Sequence, residues 1–131
     1  MADEHDMPAA ARRLLVAGDR LMADRPEQRE VAGYLFGLAA ECAVKAIATG
    51  IPSLRQDEIF WEHFPKLRAL LRDAIQGRSG GRLRRLVEHD GFMNGWHVGM
   101  RYARAAALKN LPVEDWRKQA ADAINLMDGG S

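Results

Sequence analysis

From Lys66 to Arg85 the chain carries seven basic residues (Lys66, Arg68, Arg72, Arg78, Arg82, Arg84 and Arg85) against one acid, Asp73, and His89 follows shortly after. An imidazole exchanges protons near neutral pH. Guanidinium groups offer fixed charge and paired donors to phosphate oxygens. The cluster therefore fits a positive patch able to meet a phosphate, or equally the solvated face of ordinary helices.

The other reactive residue types form no comparable group. His63, beside Phe64 and Pro65, fits a loop–helix anchor or cap better than an acid–base group, and His97 beside Trp96 fits an ordinary surface position. No metal site is expected, because there is no H-E-x-x-H, no paired cysteine, and the four histidines are scattered. No cofactor is expected either: Gly77 to Gly81 lacks the G-x4-G-K-[ST] pattern of a phosphate loop. Cys42 lies among apolar residues and reads as packing. Trp61, Trp96 and Trp116 read as core anchors.

These residues need a scaffold, and 131 residues with 47% hydrophobic content suffice for one domain with a core of its own. Few residues are β-branched or aromatic, which favours helix. The net charge of +1 gives no global attraction to nucleic acid, so any such contact must be local. A single cysteine excludes an intrachain disulfide and suits a reducing cytoplasm. Asp3, Glu4 and Asp6 make the start acidic, unlike a signal peptide. The uninterrupted run from Val31 to Ala40 is shorter than the roughly 20 apolar residues a bilayer needs, so no membrane partner is expected.

Residues 1–7 read as a disordered acidic tail, 8–128 as one helical domain and 129–131 as a flexible end. A first helix is predicted from Pro8 to Ala23, with Ala11, Leu14, Leu15, Gly18, Leu21 and Met22 inward. Pro26 suits the first turn of a second helix that runs to Thr49 and is stopped by Gly50 and Pro52. That helix is unusual: between Val31 and Thr49 the only charges are Glu41 and Lys45, spaced for a helical ion pair. Val31, Leu35, Leu38 and Cys42 form one apolar stripe, and Phe36, Ala40, Ala43 and Ile47 form another. Two stripes need two partners, the chain's own helices and, on this reading, a second copy of the protein meeting the region around Val31–Thr49.

Residues 51–62 connect to a third helix over Pro65–Ile75, and Gly77, Gly80 and Gly81 break it. A short helix follows over Arg82–His89 with Leu83, Leu86 and Val87 inward. Residues 91–95 are irregular, and Trp96 to Tyr102 alternates like an extended segment, although a helix from Met100 to Leu108 is an equal alternative. The last helix begins near Val113, with Glu114 and Asp115 in its first turn and Trp116, Ala120, Ile124 and Met127 buried.

The stretch YLFGLAAECAVKAI followed by HFPKL resembles the HEPN domain family, through Glu41, Ala43, Lys45 and Ala46 in the helix and His63 and Leu67 after it. Trp96, Arg101 and Tyr102 are similar to a W-x4-R-Y signature in one branch of that family. The resemblance implies an all-α, antiparallel four- or five-helix bundle that pairs as a homodimer. It also implies a link to RNA cleavage, toxin–antitoxin pairs or phage defence, with a nucleotidyltransferase-type antitoxin as a partner to expect. Catalytic members carry R-x4-6-H, usually near the start of the last long helix.

Arg84 with His89 and Arg82 with His89 both fit that spacing. On a regular helix Arg84 and His89 lie about 140° apart, whereas Arg82 and His89 lie about 20° apart and Arg85 is His89's neighbour. Arg82, Arg85 and His89 would then share one stripe, and Arg84 returns if the segment is irregular. The motif precedes Trp96–Tyr102 rather than following it, and Arg101 has no histidine in the next seven residues. Two functions stay open: an endoribonuclease using Arg82 or Arg84 with His89, assisted by Arg78, Arg85 and Arg101 on the nucleic acid, or a non-catalytic module binding a protein or nucleotide partner.

Overall fold

A computed structural model describes residues 5–52, 54, 56–75, 80–89 and 91–130. Among them are six α-helices and no strand: α1 Met7–Ala23, α2 Arg29–Ala48, α3 Gln56–Trp61, α4 Lys66–Ala74, α5 Gly81–Glu88 and α6 Val113–Met127. Two 3-10 turns, Val98–Tyr102 and Ala105–Leu108, precede α6.

The centre is α2, because small residues on it let aromatic rings come to its backbone. A Cβ on Gly37 would lie 1.9 Å from Trp96 Cε2, and one on Gly18 of α1 would lie 2.5 Å from Phe36 Cε1. Trp96 is thereby sunk against α2, where its Nε1–H donates to Gly33 O at 3.1 Å. Trp116 lies against Gly33 from α6. Phe36, Trp96 and Trp116 are all within 1% of full burial. By length and composition α2 is apolar enough to cross a membrane, but most of it is covered by the rest of the chain.

Surface ion pairs mark the direction of α6. Arg117 meets Asp19 and Arg12 meets Asp128, so α6 runs antiparallel to α1. Gly18 against Phe36 and Arg13 near Cys42 make α1 antiparallel to α2, so α2 and α6 run the same way. Arg29 with Glu114 joins their N-terminal ends.

Several expectations change. Asp6 caps α1 by accepting from Ala9 N–H at 3.0 Å, and Met7 is already helical, so the acidic tail does not reach residue 7. Residues 1–4 lie outside the described residues. Pro26 precedes α2 rather than opening it. The turn closes through Gln28 N–H on Leu21 O, and the first helical bond of α2 runs from Ala32 N–H to Gln28 O. Trp96–Tyr102 is not one extended or α-helical segment: His97 is extended, Val98–Tyr102 forms a 3-10 turn, and Trp96 and Met100 are buried. Trp61 is 75% exposed and anchors no core. Gly129 and Gly130 are tied back to α6 through Leu126 O and Asn125 O.

The stripe of Phe36, Ala40 and Ala43 is buried, with Ile47 partly covered. The stripe of Val31, Leu35, Leu38 and Cys42 is left half-covered, and Val31 is 49% exposed. With Ala46 these residues span about 80° of the helix. Among the described residues α2 therefore has one apolar arc without a full cover.

Candidate functional site

Helix α5 has leucine and valine at Leu83, Leu86 and Val87 facing inward, which turns Arg82, Arg84 and Arg85 outward. Its C-terminus is held from α4. The Arg68 guanidinium donates to Val87 O and to His89 O, both at 2.7 Å, so a cation satisfies carbonyls that a helix end leaves open. His89 is the residue after the helix, in an extended conformation. Its backbone is held a second time by Phe92 N–H at 2.9 Å.

Arg82, Arg85 and His89 meet on one wall of an open groove of about 690 Å³ between α5 and α6. Half-buried Leu86 and Leu126 and buried Phe92 supply apolar surface within it. The opposite wall, from α6, presents Asp115, Lys118, Gln119, Asp122 and Asn125. Lys118 and Asp122 pair at 2.9 Å. Arg82, Arg85 and Asp115 have no side-chain partner among the described residues. Two guanidinium groups on an open wall without a carboxylate can offer paired donors to an anion.

The His89 ring is oriented by its own loop, since Nδ1 accepts from Gly91 N–H at 3.3 Å. In the neutral ring the proton then sits on Nε2. The loop is clamped by α6: Gln119 Oε1 accepts from Met93 N–H at 2.6 Å and its Nε2 donates to Gly91 O at 2.8 Å. Met93 is held at φ 51°, which a side chain rarely adopts without such support. Sequence reading missed Arg68 and Gln119 as positioning residues. Nothing local marks them, because both act on backbone groups 19 or more positions away.

The other expected site residues lie elsewhere. Arg84 is not in the groove. α5 is regular, so Arg84 points aside, where Nε donates to Glu88 Oε1 at 2.7 Å and a terminal nitrogen to Ile75 O at 3.3 Å. Arg101 sits on another surface, donating to Tyr34 Oη at 3.2 Å and lying 4.8 Å from the Tyr102 ring centre. Arg78 lies outside the described residues. His97 is exposed.

His63, its side chain nearly half exposed, instead reaches a buried carboxylate. Glu41, 2% exposed, takes His63 Nδ1 on Oε1 and Phe64 N–H on Oε2, each at 2.8 Å. The anticipated Glu41–Lys45 ion pair is not the main contact, because Lys45 Nζ donates to Phe60 O at 2.8 Å. Burial pushes the Glu41 carboxyl up, against the lowering by its His63 and Phe64 partners. Burial likewise pushes the Lys45 ammonium down. The Glu41 contacts tie α2 to the start of α4, and every buried side-chain polar atom described has a partner.

Among the described residues no group of histidine, cysteine and carboxylate could hold a metal ion. No family model matches the chain, and neither a curated protein nor a solved structure does.

Proposed function

We propose that this protein is a HEPN-like, dimeric helical bundle that binds single-stranded RNA in the α5/α6 groove and cleaves it there. One observation carries the reading: Arg82, Arg85 and His89 share one open wall with no carboxylate answering the two arginines among the described residues. Cleavage without a metal takes the proton of a 2′-OH, lets that oxygen attack the adjacent phosphorus, and releases the 5′-oxygen with a proton. The products are a 2′,3′-cyclic phosphate and a 5′-hydroxyl end. Arg82 and Arg85 would hold the phosphate and meet the charge that develops on it. His89 is the acid–base side chain on that wall.

The Gly91 N–H on His89 Nδ1 favours a second reading, binding without cleavage. In that state Nε2–H donates a hydrogen bond to a phosphate oxygen, and the ring accepts the 2′-OH proton only after releasing Gly91. The apolar arc of α2 supports the dimer in both readings, since a second copy would cover Val31, Leu35 and Leu38.

Labelled single-stranded RNA separates the two. Cleavage by the wild type that falls at least about 100-fold in His89→Ala, with RNA still bound, supports the nuclease. Binding without cleavage, weakened in Arg82→Ala and Arg85→Ala and steeply reduced by salt, supports the second reading. A wild type that neither binds nor cleaves RNA removes both.

A further inference from the structure

The two walls of the groove differ in chemistry, and the difference suits one kind of nucleotide. The α5 wall offers donors and positive charge through Arg82, Arg85 and His89. The α6 wall offers acceptors. Asp115 and Asp122 are seven residues apart and so lie about 20° apart on that helix, both facing the groove. Asp122 is already engaged by Lys118, and Gln119 by the loop at Gly91 and Met93. Asp115 is the carboxylate on this wall without a side-chain partner among the described residues. Leu86 and Leu126 give an apolar surface for a flat ring. A groove of about 690 Å³ falls in the size range of small-ligand sites.

An anion on one wall and a donor-rich edge on the other describe a nucleotide. A carboxylate accepts two parallel hydrogen bonds best from two adjacent donors. Among the four RNA bases guanine alone has adjacent donors on its pairing edge, at N1–H and the N2 amino group. Adenine and cytosine each set a donor beside an acceptor, and uracil flanks its one donor with two acceptors. We propose that the groove selects guanine, with Asp115 accepting from N1–H and N2–H while Arg82 and Arg85 hold the phosphate. This rests on the reading of the groove as an RNA site, and it assigns that site a base preference.

Titration of the full chain with guanosine and uridine monophosphates, and with single-stranded oligomers carrying either one guanine or only uridine, tests it. The expected result is about tenfold or more tighter binding of the guanine ligand in both formats, from one bidentate contact. Asp115→Asn should bring the ratio to within about twofold, while Arg85→Ala weakens both ligands and preserves the ratio. Thermal unfolding of each variant checks that the fold persists. Equal affinity for guanine and uracil ligands in the wild type overturns the base preference while leaving the RNA reading intact. Loss of the ratio in Asp122→Asn but not in Asp115→Asn overturns the role of Asp115. Selectivity for the free nucleotide with no affinity for oligomers keeps the guanine site and overturns the RNA reading beneath it.

Discussion

His63 and His89 both sit near acidic and basic residues, and the fold puts them to opposite uses. His63 leans on Glu41, a carboxylate almost wholly buried, whose second oxygen takes the Phe64 N–H. Both carboxylate oxygens there tie α2 to the turn before α4. His89 stands at the C-terminal end of α5 beside two arginines that lack an acid partner among the described residues, and its ring contacts its own loop. In the first region the charges are spent on packing. In the second they face solvent and a groove, where an incoming anion is the natural partner. The same residue types thus become structure or site according to whether the scaffold has already satisfied them.

Changes at four positions sharpen that contrast, from the largest expected effect to the smallest. Gly37→Ala should cost about 3 kcal/mol, because a Cβ overlaps the Trp96 ring that fills the centre. Urea unfolding measures it, and a loss below about 1 kcal/mol would show that the ring can retreat. Glu41→Ala should cost about 2–3 kcal/mol by stranding His63 and the Phe64 N–H. Glu41→Gln adds a pH signature. Burial raises the folded carboxyl above its ordinary value near 4.5, so the unfolded chain loses this proton first and wild-type stability falls as pH rises through that interval. The glutamine variant lacks that fall, so its stability should gain on the wild type as pH rises from 4.5 upward. Parallel curves for the two proteins would refute the raised carboxyl.

Gln119→Ala should cost about 1–2 kcal/mol and speed amide exchange at Met93, since the clamp between α6 and the His89 loop is lost. Unchanged exchange there would mean the loop holds itself. Leu35→Glu, on the half-covered arc of α2, should change the stability of the single chain by less than about 0.5 kcal/mol. Sedimentation should nonetheless show that it abolishes self-association. A wild type that sediments as a monomer at all concentrations would remove the dimer from the proposal.

Periodicity made much of this readable. The inward faces of α5 and α6 and the stop at Gly50 follow from residue spacing alone. So does the shared stripe of Arg82, Arg85 and His89, because α5 stays regular to Glu88 and Arg84 is then turned aside. The second wall was not readable. Asp115 is 26 residues beyond His89, and no local pattern says that α6 lies across from α5. The Glu41–Lys45 spacing misled, because in a buried helix each group takes the best partner in space and not the nearest in sequence.

By itself the amino-acid order determined an all-helical chain with one helix apolar around most of its girth and a basic stripe ending in His89. Those properties depend on residues within a turn or two of each other. The tertiary structure decided which polar groups were consumed and which were left over. Docking of Trp96 onto Gly37 filled the centre, and docking of Arg68 and Gln119 onto the His89 loop held the groove's end; these are contacts between segments whose meeting only a packed core can specify.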